Sequence, residues 1–79
     1  MPIVLRIGPY SFGFYASDQD EPPHVHVRRE RQKAKVWLEP GVEVSSSRGY
    51  APHELNDVIR MVSENREFLL ERWHEFFNQ

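Results

Sequence analysis

The 79-residue chain contains no cysteine. That excludes a disulfide staple, a thiolate nucleophile and any cysteine-ligated zinc or iron–sulfur centre. Apolar runs are equally scarce: none exceeds three residues, as at Ile3–Val4–Leu5. Such runs are far too short for a bilayer span or a signal peptide, so the expectation is a cytoplasmic protein with no membrane partner. Four glycines are scattered singly, with no Gly-rich phosphate loop among them. No Ser–His–Asp order or nucleophile elbow occurs, and no internal repeat. Neither charge sign dominates, since 10 Lys and Arg face 12 Asp and Glu for a net −2. Bulk electrostatics therefore do not hold this chain on nucleic acid.

What is present describes a folded domain. Apolar residues make up 39% and charged residues 28%, and ten aromatics supply buried area that a short chain needs. A chain this short forms a single domain over residues 1–79. Charge is unevenly placed. Arg28, Arg29, Arg31, Lys33 and Lys35 form a basic stripe broken only by Glu30, whereas residues 51–79 carry three cations against six carboxylates.

Residues 1–50 read as a β-meander. Ile3 to Ile7 is a strand punctuated by Gly8–Pro9, and Phe12 to Ala16 completes a hairpin. Ser17 to Glu21 is an acidic loop that Pro22–Pro23 ends in extended geometry. His24 to Arg29 and Lys33 to Leu38 form a second strand pair, and Val42 to Ser45 has the marks of a short edge strand. Residues 51–79 are helical: Leu55, Val58, Ile59, Val62, Leu69, Leu70, Trp73, Phe76 and Phe77 recur at helical spacings. One unbroken helix there measures about 40 Å at ~1.5 Å per residue, longer than a small domain is wide. The pattern favours a long or kinked helix, with Ser63–Asn65 as the place for a break. The expected fold is α+β, an antiparallel sheet of about four strands covered on one face by that helix.

Strand side chains alternate faces, which sorts this sheet into two sets. Ile3, Leu5, Ile7, Phe12, Phe14, Val25, Val27, Ala34, Val36 and Leu38 form the core set. The second set holds Arg6, Tyr15, His24, His26, Arg28, Lys33, Lys35, Trp37 and Glu39. A polar outer face is ordinary for an antiparallel sheet. Two histidines behind a rigid prolyl pair, and a tryptophan facing outward, fit that plain account less well.

Three chemistries suit this second set. Metal-independent, ribonuclease-like phosphodiester chemistry on RNA would use His24 or His26 as general acid or base, with Lys35 and Arg28 on the phosphate and Trp37 or Tyr15 stacked on a base. Metal binding is suggested by His24-x-His26, which puts both rings on one side of a strand. Its third ligand would come from Glu21, Glu39, His53 or His74, none with diagnostic spacing, so no metal and no cofactor is assigned. Asp18, Asp20 and Glu21 lack the spacing of a calcium loop. A pure interaction surface is the third option, with Trp73, Phe76 and Phe77 as a partner-binding patch and a homodimer among its forms. Taken singly, those three aromatics read as core.

The segments Met1-Pro2-Ile3-Val4-Leu5-Arg6-Ile7-Gly8, Glu21-Pro22-Pro23-His24-Val25-His26-Val27 and Ala34-Lys35-Val36-Trp37-Leu38-Glu39-Pro40 carry a resemblance. Together with Asn65-Arg66-Glu67 and the helix through Trp73, they resemble the short bacterial proteins of domain-of-unknown-function family 4160 along essentially the whole chain. Residues 42–49 are more polar and Ser-rich than that pattern. The resemblance implies a two-gene operon with a family 2442 partner, similar to a type II toxin–antitoxin module, and functional candidates at Glu21, His24, His26, Lys35 and Trp37. The expectation is thus a toxin-like protein acting on RNA or translation and neutralised by an antitoxin-like partner. Its catalytic residues are His24, His26 and Lys35, and its substrate-binding residues Arg28, Trp37, Glu21 and Tyr15. The alternative is a non-enzymatic adaptor or regulatory subunit that uses the same face to hold its operon partner.

Overall fold

Five strands follow one another in space in the order of the chain, each antiparallel to the last: β1 (Ile3–Ile7), β2 (Tyr10–Gly13), β3 (His24–Arg29), β4 (Gln32–Trp37) and β5 (Glu43–Arg48). This computed structural model describes residues 1–77. Gly8 turns the first hairpin with a φ of 54°, a left-handed conformation in which a side chain is strained. The second hairpin closes through Glu30 and Arg31, because Arg29 pairs directly with Gln32. Glu30 takes the positive φ that such two-residue turns require. At Gly13 the need is steric, since a Cβ there would collide with the Pro2 carbonyl oxygen.

The sheet has five strands rather than about four. β5 runs the full length from Glu43 to Arg48 despite its Ser45–Ser47 run, because pairing with β4 supplies what local propensity lacks. The expected acidic loop contains one short 3-10 turn at Ala16–Asp20.

The helical part is two helices, α1 (Pro52–Glu64) and α2 (Arg66–Phe77). Pro52 sits in the first turn of α1, where its missing N–H is no loss, and Glu54 reaches back to accept the Ala51 N–H at 2.8 Å. The break falls at Asn65, and three bonds account for it. Asn65 donates its side-chain amide to the Met61 carbonyl at 2.8 Å. Its own carbonyl begins α2 by accepting the Leu69 N–H at 2.9 Å. Arg66 Nε then donates to the Leu38 carbonyl of the sheet at 2.7 Å. The molecule's longest dimension is 36 Å, shorter than an unbroken helix over this region.

The core joins both halves: Phe12, Phe14, Val25, Val27, Val36 and Leu38 of the sheet region meet Val58, Val62 and Leu69 of the helices, all at 0% exposure. The predicted core set holds except at β1. As an edge strand with a bulge between Ile3 and Leu5, it leaves Ile3 exposed and Leu5 and Ile7 half-buried. Among the described residues no helix is long and apolar enough to cross a membrane.

Candidate functional site

Strand register assembles a row of cations across the sheet. Arg6 pairs with Ser11, Ser11 with Arg28, Arg28 with Lys33, and Lys33 with Arg48. Directly opposed like charges destabilise a sheet, and among the described residues none of these four cations has an ion-pair partner. Arg28 Nε is also buried with no hydrogen-bond partner. The next row runs from Gly13 through His26 and Lys35 to Ser46. Between the two rows lies an open cleft of about 360 Å³, lined by Tyr15, His26, Arg28, Lys33, Lys35 and Arg48, with Ser46 and Ser47 on its β5 side.

Lys35 is less free than its neighbours. It forms a close ion pair with Glu21, which holds the Glu21 carboxyl below its ordinary range. Its ammonium also lies 4.7 Å from the centre of the Trp37 ring, a cation–π arrangement that explains how Trp37 rests half-exposed on an outer face.

Behind His26 the chain closes around a carboxylate. Asp18, in the 3-10 turn, accepts the Tyr15 N–H at 2.8 Å through Oδ2, which anchors the side chain to its own backbone. His26 Nε2 reaches the same oxygen at 3.0 Å. His24 Nε2 stands 3.2 Å from Oδ1, but the approach is not aligned for a hydrogen bond and this nitrogen has no partner. Nδ1 of His24 donates to the Pro22 carbonyl at 2.9 Å. Burial alone would raise the Asp18 pKa; the Tyr15 amide and the two imidazoles outweigh it, so Asp18 lies below its ordinary value. Burial also lowers His26 despite the facing carboxylate, favouring the neutral ring.

The structure therefore separates the predicted site residues. Tyr15, His26, Arg28 and Lys35 share the cleft, with Glu21 and Trp37 attached through Lys35. His24 is not on the accessible face: at 0% exposure it is wedged between Trp37 and Trp73, with ring centres 5.3 and 5.2 Å away. Trp73, Phe76 and Phe77 pack around Phe14 at 5.3, 5.9 and 6.4 Å, so the sheet and the end of α2 use them internally. Sequence reasoning missed Arg48, which only register brings beside Lys33, and Asp18 as the group joining the two histidines. Its signal was the Tyr15-to-Asp18 spacing of a carboxylate reaching back to the amide that opens a helical turn.

A search of the curated proteins and of the solved structures finds no match to this chain. One family model does match, over residues 10–74, and that span holds the cleft, both histidines, Asp18 and nearly all of both helices. The chain belongs to the family described as Domain of unknown function (DUF4160).

Proposed function

We propose that the protein is an RNA-directed, toxin-like effector that binds the phosphate backbone along its outer sheet face. One observation carries this reading: Arg28, Lys33 and Arg48 stand side by side across three strands, and among the described residues none of them has an ion-pair partner. A row of unpaired cations is costly in isolation and favourable once a polyanion lies across it. A net charge of −2 does not oppose this, since screening confines the interaction to within about 8–10 Å of the face. Tyr15 offers a ring for a base, and Ser46, opposite Lys35, offers a hydroxyl to phosphate oxygens. Proton transfer in this reading belongs to the Asp18–His26 end of the cleft. His24 orders that end from behind.

The reading predicts that inducing the protein alone arrests bacterial growth, and that Arg28→Ala with Arg48→Ala relieves the arrest at equal soluble expression. RNA that is neither bound nor cut by the purified protein, together with unaffected growth, removes it. The adaptor alternative has support of its own in Trp37, a half-exposed aromatic of the kind that anchors interfaces. In that case Trp37→Ala weakens a complex with the operon partner while no RNA effect exists to lose.

A further inference from the structure

We infer that Asp18, His24 and His26 form a binding site for a divalent first-row transition ion of the zinc type, held by the two Nε2 atoms and the Asp18 carboxylate. Three observations converge on it. The first is spacing. One ligand atom from each residue can be chosen so that all three lie within 4.8 Å of one another, and His24 Nε2 stands 3.2 Å from Asp18 Oδ1 while His26 Nε2 stands 3.0 Å from Asp18 Oδ2. A tetrahedral ion with bonds of about 2.0–2.1 Å needs ligand-to-ligand separations of about 3.4 Å, close to both carboxylate–imidazole distances.

The second is the hydrogen-bond logic of His24. A carbonyl can only accept, so the contact with Pro22 places the proton on Nδ1. That leaves Nε2 as an acceptor with no hydrogen-bond partner, at zero exposure and 3.2 Å from a carboxylate oxygen. Two acceptors face each other in a buried place. A cation between the two resolves the conflict, and a backbone carbonyl on the distal ring nitrogen is the usual outer-shell support of a metal-bound histidine.

The third is rigidity. Asp18 is tied down by the Tyr15 amide. The His24 ring is held by two tryptophans, and His26 packs edge-on against Tyr15 at 4.6 Å. The Asp18 side chain is 8% exposed, unlike a solvated acidic cluster. Two imidazoles and one carboxylate select zinc, iron, cobalt or nickel over magnesium and calcium. Three protein ligands leave a coordination position for water or a phosphate oxygen, and His26 connects the ion to the cationic cleft. The ion's use on RNA rests on the function proposed above; its binding does not. Binding the ion through both Nε2 atoms displaces the proton that His26 shares with Asp18, so neither imidazole is then a free base at that end of the cleft.

The test uses the untagged full-length chain, stripped with chelator and titrated with Co²⁺ and then Zn²⁺. The expected result is one ion per chain, a visible Co²⁺ absorption band that Zn²⁺ displaces, and a change in tryptophan emission, since both tryptophans touch the His24 ring. Asp18→Asn and His26→Gln, each checked for folding by circular dichroism, should weaken binding by on the order of 100-fold, at or above the loss from an outer-shell change. His53→Gln with His74→Gln should leave it intact. Absence of stoichiometric binding by the folded protein overturns the inference, as does binding that survives both ligand variants. RNA binding measured in chelator keeps the two proposals apart: RNA bound without any metal site sinks only the ion, and an ion bound without RNA sinks only the RNA reading.

Discussion

His24 donates to the carbonyl of Pro22, two residues earlier, across 2.9 Å. The prolyl pair thus supplies both the extended lead into β3 and the acceptor that orients the ring. Because the ring is fully buried between Trp37 and Trp73, His24→Ala should cost about 3 kcal/mol, like other large-to-small changes in a core. His26→Ala, half-buried at the cleft, should cost about 1 kcal/mol. Urea unfolding of both variants checks this. Equal stability of the two would show that His24 is not the packing residue described here.

Phe14 and Trp73 meet edge to face, with ring centres 5.3 Å apart. Truncating Trp73 to Ala should destabilise the fold by about 3–5 kcal/mol. A double-mutant cycle with Phe14→Leu should return a coupling of about 0.5–1.5 kcal/mol. A Trp73→Ala protein of unchanged stability would return this aromatic cluster to the surface and to a partner.

Arg66 fixes the angle between the helices by donating to the Leu38 carbonyl. Arg66→Ala leaves that acceptor without its charged donor and should cost about 1.5–3 kcal/mol. Amide exchange is the second readout: protection in α2 should fall more than protection in β3. Uniform loss along the chain would mean that the helix break does not depend on this bond.

Tyr50 ties the segment before α1 to the sheet by donating to the Val27 carbonyl at 3.1 Å. Burial, aided by Tyr10 and Glu54 and opposed by Arg29, pushes its hydroxyl up to about 12 from the ordinary 10.0. Below pH 10 both the folded and unfolded chains keep this proton, and its contribution is complete. Between pH 10 and 12 only the unfolded chain releases it readily, so stability falls as pH rises through that window. Tyr50→Phe should be less stable than wild type by about 1 kcal/mol at pH 8, and that gap should close toward pH 12. A gap independent of pH contradicts the assignment.

Much of this architecture is visible in the amino-acid pattern where the two faces of a strand differ chemically. Val25 and Val27 against His24 and His26 define β3, and Ala34 and Val36 against Lys33 and Lys35 define β4. β5 is faint because Ser45–Ser47 have little strand preference; Lys35 and Ala34 opposite them make the strand. The helix break is legible as a polar turn, but the choice of Asn65 depends on Leu38, a residue distant in sequence. Alternation correctly puts His24 on the face opposite Val25, yet exposure depends on what covers that face. The cover is Trp73, from the other half of the chain. Asp18 was hidden for the same reason, since nothing local to the 3-10 turn announces that two rings of β3 will fold against it.

The cationic row is the centre of the functional account, and its most direct test is the salt dependence of binding to single-stranded RNA. Three phosphate contacts through Arg28, Lys33 and Arg48 predict a slope of log K against log salt of about −2, from ~0.7 per contact. Each single Ala variant should flatten it by roughly one contact's share, and the triple variant should leave almost none. A wild-type slope near zero, or one that the triple variant leaves unchanged, would contradict the claim that this face holds a phosphate backbone.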